Sequence, residues 1–189
     1  MLVSGQWMYL LGGAPVGAAF DSITGVNGTL VFSCRLNGDG TIGPWQRCTD
    51  LPRPQLSYPA WVYSDYLYTL ALNSGGTVHD VFSAPVFPNG QLGVWSLVGS
   101  IGQFIVGFDG VLFRDKMVMI NNSGGGIVKT ISLDLSGGGK VGRVDILPGP
   151  PMWIGGMRPV LVRNRFFSIA TQVVGGAPFY GQICAAKLG

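Results

Sequence analysis

The sequence has few charged residues, one histidine and no glutamate, and these shortages exclude several classes of protein. Its 189 residues include 12 Lys and Arg and 9 Asp, so that charged residues make up 11% of the chain, against about 25% in an average globular domain. A hydrophobic content of 47% excludes a disordered chain, which needs low hydrophobicity and high charge. A formal net charge of +3 is too small for a nucleic-acid-binding protein, which presents a basic face to many phosphates.

Long apolar runs are also missing. No stretch approaches the ~20 apolar residues that a helix needs to cross a bilayer, so we expect no membrane span. The first 20 residues contain no Lys or Arg, and glycines interrupt their apolar run. This pattern does not predict a secretory signal peptide.

Cysteine is scarce as well, and the spacing of Cys34, Cys48 and Cys184 fits neither a zinc site nor a CxxC redox motif. Two interpretations remain open. The three residues are small, partly buried apolar side chains of a protein made in a reducing compartment, or Cys34 and Cys48 form a disulfide across a hairpin.

Catalytic groups are equally sparse. His79 is the sole histidine and the aspartates are scattered, so the sequence predicts no zinc or copper site and no cofactor. We expect His79 to be a surface residue at the end of a strand, because a Ser-His-Asp triad would require Ser83 or a remote serine in a geometry that the sequence does not indicate. A glycosidase-like pair of Asp65 and Asp109 stays open as an alternative. The prediction is a protein that is not an enzyme.

Glycine is abundant instead, at 31 residues, which argues against a helical protein because glycine destabilises helices. Three glycine-rich segments align, at residues 36–45, 86–95 and 135–144. Gly43, Gly93 and Gly142 occupy the same place in the three segments, at intervals of 50 and 49 residues. Asp-Gly and Asn-Gly adopt positive φ at low cost, so the segments predict tight turns between antiparallel strands.

A second series of segments predicts strand, turn and strand at residues 58–70, 108–120 and 158–169, and residues 6–13 match its second strand. A third series of strands precedes the glycine turns, at 30–36, 81–87, 128–135 and 180–188. The repeating unit is therefore four strands, a to d, over about 50 residues, which is typical of propellers and solenoids. Four units follow one another at 1–50, 51–101, 102–150 and 151–189.

These units predict an all-β fold, a single β-propeller domain over residues 1–189 with about four four-stranded antiparallel blades, the last of them incomplete. Blades covered on both faces account for high hydropathy with few charges. A two-sheet sandwich is the alternative, although it would require more alternating polar residues. The last unit ends before a strand d, and an unpaired edge strand is normally avoided. We therefore expect another chain to supply the missing strand, or several copies to assemble side by side.

Residues 9–13, 37–45 and 89–95 resemble kelch-like β-propeller repeats, especially the divergent repeats of bacterial surface proteins and of phage tail or virion proteins. The resemblance covers almost the whole chain, although Val144 replaces the tryptophan of the first two units. It implies a non-enzymatic structural or binding subunit of a larger assembly, found in a virion or at a cell surface. A free carbohydrate-binding lectin and a glycan hydrolase or lyase are the alternatives.

The longer connections of such repeats emerge on one face, where recognition tends to occur. Arg53, Trp153 and Arg158 are the candidate ligand- or partner-binding residues on that face, because arginine forms forked hydrogen bonds and aromatic rings pack on apolar surfaces. Trp153 has a second interpretation, as an apolar plug at the end of the blades. The expected partners are other protein subunits, with a cell-surface glycan as the candidate ligand.

Overall fold

A computed structural model describes residues 1–12, 26–54, 59–76, 78–102, 109–123, 127–148, 155–163, 165–172 and 180–187. The described chain is all-β, apart from a 3₁₀ turn at Val26–Thr29. It divides into two compact units: the first comprises Met1–Gly102 with Gly137–Lys140, and the second comprises Gln103–Ser136 with Val141–Gly189. Within the described residues, no helix is long and apolar enough to cross a membrane.

The first compact unit contains two four-stranded antiparallel sheets, each built from consecutive strands. Sheet 1 consists of β1 (Leu2–Ser4), β2 (Trp7–Leu11), β3 (Val31–Arg35) and β4 (Gln46–Arg47). Sheet 2 consists of β5 (Ala60–Tyr63), β6 (Tyr66–Leu72), β7 (His79–Pro85) and β8 (Ser96–Ser100).

The second compact unit contains the next two sheets, again with strands in chain order. Sheet 3 consists of β9 (Asp109–Phe113), β10 (Lys116–Ser123), β11 (Ile127–Ser136) and β12 (Lys140–Pro148). Sheet 4 consists, within the described residues, of β13 (Gly155–Val162), β14 (Arg165–Gln172) and β15 (Tyr180–Lys187). The prediction of an all-β chain of successive antiparallel sheets is confirmed, and each sheet corresponds to one of the predicted units.

The glycine turns between the third and fourth strands adopt the predicted backbone conformation. Gly40, Gly90 and Gly139 have φ of 85°, 79° and 76°, which glycine adopts without the steric cost that a Cβ brings. The turns between the first and second strands use other residues, with Ser64 at φ 50° and Asp65 at φ 61°. Both central residues of that turn are left-handed, which matches the twist of the two strands it connects.

The core of the first unit lies between sheets 1 and 2. Tyr9 and Val31 of sheet 1, and Leu67 and Ala84 of sheet 2, are completely buried in one cluster with Leu92. The middle strands of sheet 2 are buried on both faces, because successive side chains of a strand point to opposite faces and every residue from Leu67 to Ala71 is buried.

Sheet 3 has its own apolar core in the second unit. Met117 and Met119 of β10 and Ile131 and Leu133 of β11 are buried, and cross-strand pairing places Met117 opposite Leu133 and Met119 opposite Ile131. These side chains share one face of the sheet.

Candidate interaction site

Arg53, the first candidate binding residue, contacts side chains and backbone of sheet 2. Its guanidinium donates to the Asp80 carboxylate at 2.6 Å and to the Leu72 carbonyl oxygen at 2.9 Å, and it lies 5.3 Å from the centre of the Phe82 ring. The Arg53 side chain is 31% exposed and that of Asp80 is 12% exposed. Arg53 therefore has a structural role in this sheet, and its contact with a ligand or partner stays a prediction.

The other two candidate residues are only partly covered by the structure. Trp153 lies outside the described residues. Arg158 belongs to β13, where its backbone pairs with Ile169 beside a register irregularity between Gly155 and Arg158, and its side chain lies outside what the structure describes. The long connections predicted to carry recognition also lie mostly outside the described ranges.

His79 is not on the surface, so that prediction is wrong. It begins β7 and its side chain is completely buried. Its carbonyl oxygen accepts a backbone hydrogen bond from Ile101 at 2.8 Å, which continues the ladder past the end of β8. The residue is buried because β7 is a middle strand of a sheet whose two faces are both covered.

The carboxylates proposed as an alternative catalytic pair occupy opposite ends of their strands. Asp65 is exposed in the turn after β5, whereas Asp109 is the first residue of β9. Among the described residues, no three His, Cys, Asp or Glu side chains lie close enough together to hold a metal ion.

Cys34 and Cys48 are both buried and both free, so the disulfide is not present. The Cys48 thiol donates to Ser33 Oγ at 3.3 Å. Because Cys34 follows Ser33 along β3, its side chain points to the other face of the sheet. The two sulfur atoms therefore face away from each other across β3.

A repeated contact joins the glycine turn of one sheet to the face of the preceding sheet. We call residues 37–41, 87–91 and 136–140 turn 1, turn 2 and turn 3. Such a turn packs on a small set of side chains of the preceding sheet. We call this set the turn-binding face of that sheet. Each turn-binding face includes the first residue of the second strand and a buried serine of the third strand.

Turn 2 packs on the turn-binding face of sheet 1, formed by Trp7, Ser33 and Cys48. The Trp7 indole donates to the Pro88 carbonyl oxygen at 3.2 Å, and its ring lies so close to Gly90 that a Cβ there would overlap it. The Cys48 sulfur lies 3.7 Å from the Gly90 carbonyl oxygen.

The strand after turn 2 extends this contact. The Thr49 hydroxyl donates to the Leu92 carbonyl oxygen at 2.8 Å, and the Trp95 indole donates back to the Thr49 carbonyl oxygen at 3.1 Å. Leu92 is only 4% exposed as a result.

Turn 3 packs in the same way on the turn-binding face of sheet 2, formed by Tyr66, Tyr68 and Ser83. The Ser83 hydroxyl donates to the Gly139 carbonyl oxygen at 2.7 Å, and the Tyr68 hydroxyl lies 3.5 Å from the Lys140 carbonyl oxygen. A Cβ at Gly139 would overlap the Tyr66 ring. Sheets 1 and 2 thus bind a glycine turn through equivalent positions.

Sheet 3 has an open pocket at the equivalent positions. Lys116 pairs across the sheet with Phe113 and Asp134, as Tyr66 pairs with Tyr63 and Pro85. The turn-binding face of sheet 3 is therefore formed by Lys116, Val118 and Ser132. The pocket over it has a volume of about 340 Å³ and is lined by Phe113, Arg114, Asp115, Lys116, Val118, Thr130, Ser132, Asp145 and Leu147.

Lys116 is the charged centre of this pocket. It forms an ion pair with Asp134, and its hydrogen bond to that carboxylate raises the pKa of Lys116 above its ordinary value. Arg143 and Asp145 form a further ion pair on β12 at 2.5 Å.

Turn 1, by contrast, lies open. A Cβ built at Gly40 meets no atom of the described residues within 4 Å, and Ile42 is 52% exposed where the equivalent Leu92 is 4% exposed. Trp45 is also exposed. Asp39 organises the turn by accepting hydrogen bonds from the Thr41 hydroxyl at 2.7 Å and the Thr41 amide at 2.9 Å, and these bonds lower the pKa of Asp39.

The turn-binding faces were not predicted from the sequence, although a signal for them exists. Ser33, Ser83 and Ser132 recur at intervals of 50 and 49 residues, the same period as the glycine turns. A buried polar side chain that recurs with the repeat indicates a repeated hydrogen bond, because buried polar groups need partners.

A scan against models of protein families finds no match, and a search of curated proteins finds no relative.

Proposed function

We propose that this chain is a non-enzymatic repeat protein of the kelch-like propeller type and a structural or binding subunit of a larger assembly. The four sheets are its blades, and the second and third blades each place their glycine turn on the preceding sheet. The contact of turn 2 with Trp7, repeated by turn 3 with Tyr66, is the observation that carries the proposal. Propellers and solenoids gain stability from such identical contacts between neighbouring units.

The burial of sheet 2 supports the same arrangement. Its middle strands are buried on both faces, as expected for an inner blade between two neighbours. A two-layer sandwich leaves one face of each sheet in contact with solvent, and that pattern does not fit β6 and β7.

The assembly role is supported by surfaces that the described sheets leave open. Ile42, Trp45 and Leu147 are large apolar side chains between 43% and 52% exposed. Exposed apolar groups of this size, near polar ones, are typical of surfaces that bind other proteins. The more specific role, as a phage virion or tail component that contacts a host glycan, depends on the resemblance to kelch-like repeats.

Electron microscopy of the purified protein, combined with light scattering, tests the proposal. We expect particles of radially arranged sheets and a mass above that of one 20.0 kDa chain. A strictly monomeric mass at all concentrations would contradict the assembly role, and images of two stacked layers would contradict the propeller. A glycan array on the isolated protein separates a free lectin, which binds sugar by itself, from a subunit that does not.

A further inference from the structure

We propose that copies of this chain associate head to tail, with turn 1 of one copy packed into the pocket on sheet 3 of the next copy. This inference rests on the proposed role as an assembly subunit and identifies the two surfaces that meet. The chain contains this kind of contact twice already, and the new interface would repeat it between molecules.

The two existing contacts define what the interface requires. Each one packs a glycine turn, with its glycine at positive φ, against the first residue of a second strand and a buried serine of a third strand. Gly90 lies on Trp7 near Ser33, and Gly139 lies on Tyr66 and Ser83. A partner of other chemistry would have to reproduce this geometry, whereas a second copy already carries it.

Turn 1 has the required geometry, and within the described ranges no residue packs on its glycine. Gly40 has a φ of 85°, close to the 79° of Gly90. Both turns donate the glycine amide back to the residue three positions earlier, at 3.0 Å in turn 1 and 2.9 Å in turn 2. The next apolar residue, Ile42, is 52% exposed, so that packing on a sheet would bury it as Leu92 is buried.

The pocket on sheet 3 has the matching positions. Ser132 occupies the place of Ser83, and its side chain lines the pocket with that of Lys116. The aliphatic stem of Lys116 replaces the aromatic ring on which a turn glycine packs, because lysine covers apolar surface with its methylene groups while its charge stays in water. Leu147, 48% exposed on the pocket wall, supplies apolar surface for Ile42.

The charges of the two surfaces select this pairing. Turn 1 carries Asp39 where turn 2 carries Asn89, and the turn-binding face of sheet 3 carries Lys116 where the other two carry Trp7 and Tyr66. The charges that line the pocket balance, since Lys116 and Arg114 are offset by Asp115 and Asp145, and Lys116 is also paired with Asp134. The Lys116 ammonium group has three N–H donors, so it can keep its bond to Asp134 and also donate to the Asp39 carboxylate beside Gly40. Complementary charges of this kind fix register and partner.

The interface would be heterologous, because the turn and the pocket are different surfaces of one molecule. Heterologous contacts form closed rings or open filaments. The assembly therefore grows with protein concentration until a ring closes, and its affinity falls with salt because part of the attraction is between charges.

Charge reversal with restoration tests the pairing by sedimentation equilibrium. Asp39→Lys and Lys116→Asp should each weaken association about tenfold or more, and the double variant should recover most of the loss. Asp39→Asn removes the charge and keeps a turn like that of Asn89, whose side chain accepts from the Gln91 amide at 3.1 Å. Asp50→Lys is the control, with the same change of charge away from turn 1 and the pocket. Circular dichroism verifies that each variant is folded.

Zero-length carbodiimide cross-linking of the unmodified protein provides the second measurement. A mixture of ¹⁵N-labelled and unlabelled chains should give a cross-link between Asp39 and Lys116 that joins labelled to unlabelled peptide. Association that persists unchanged in Asp39→Lys and Lys116→Asp, without this cross-link, would overturn the inference and leave the proposed assembly role standing. A wild-type protein that stays monomeric would overturn both.

Discussion

Gly90 packs against the face of the Trp7 indole, and the Trp7 nitrogen donates to the carbonyl oxygen of Pro88 two residues earlier. The hydrogen bond holds the ring against the turn, so the ring could turn away from a larger residue at position 90 only by breaking that bond. Gly90 is therefore required for two reasons. Its backbone has a positive φ, and the Trp7 ring occupies the space that a Cβ would need.

Gly90→Ala should therefore destabilise the protein much more than Gly40→Ala. Both glycines have positive φ, at 79° and 85°, so alanine costs about 1–2 kcal/mol at either position from backbone strain. At Gly90 alone the new methyl group overlaps Trp7, which adds about 1–3 kcal/mol of overpacking. Urea denaturation of the two variants measures the difference.

A double-mutant cycle identifies the origin of that difference. In a Trp7→Ala background the ring is absent, so Gly90→Ala should cost only what Gly40→Ala costs. An equal cost for the two glycine variants in the wild-type background would mean that turn 2 does not pack on Trp7 in solution.

Ser83→Ala should destabilise the protein by about 1–3 kcal/mol, because it leaves the Gly139 carbonyl oxygen buried without its donor. The Ser83 hydroxyl is 2.7 Å from that oxygen and the residue is only 3% exposed. Ser132→Ala is the matched control, since Ser132 is the equivalent residue of sheet 3 and lines an open pocket.

The free energy of unfolding from urea titrations compares the two serine variants. We expect a clear loss for Ser83→Ala and a loss of less than about 1 kcal/mol for Ser132→Ala. Equal losses would show that the serines act through their own sheets and not through the turns.

The sequence period was sufficient to predict the strands, because both turn glycines and apolar strand residues recur at 49 to 50 residues. It did not predict the burial of His79. Whether a strand-end residue is buried depends on how far the neighbouring chain extends, and here Ile101 continues the ladder beyond β8. The role of Arg53 was also not predicted, since its partner Asp80 is 27 residues away in the sequence and the two meet only when sheet 2 forms.

Arg53→Ala should cost about 1–3 kcal/mol of stability, because it leaves the mostly buried Asp80 carboxylate without its cation. Arg47→Ala is the control. Its ion pair with Asp50 has a similar length, 2.7 Å, but its side chain is 59% exposed, and exposed pairs contribute about 0–1 kcal/mol.

The Asp80→Asn background distinguishes two contributions of Arg53 to stability, its ion pair with Asp80 and its packing. If the ion pair dominates, Arg53→Ala should cost less in the Asp80→Asn background than in the wild type, as measured by urea denaturation. A cost that does not change would assign the effect to the contact of Arg53 with Phe82 and the Leu72 carbonyl group.

Stability should fall between about pH 10 and pH 12 through two buried tyrosines. Burial raises the pKa of Tyr9 and of Tyr68 to about 12, and Cys48 adds to the effect at Tyr9. In the unfolded chain tyrosine ionises near pH 10. Above that pH the unfolded chain releases protons that the folded protein retains, so the stabilising contribution is complete below about pH 10 and is lost as the pH rises through 12.

Tyr9→Phe isolates one of these two groups. The Tyr9 hydroxyl is buried and has no hydrogen-bond partner among the described residues, so at pH 7 its removal should leave stability nearly unchanged or slightly higher. From pH 10 to 12 the wild type should lose on the order of 2 kcal/mol more than the variant. Urea titrations at matched pH measure this difference, in which the titration of lysines cancels. Parallel pH profiles for the two proteins would mean that Tyr9 reaches solvent in the folded state, and that the face of sheet 1 under turn 2 is not closed.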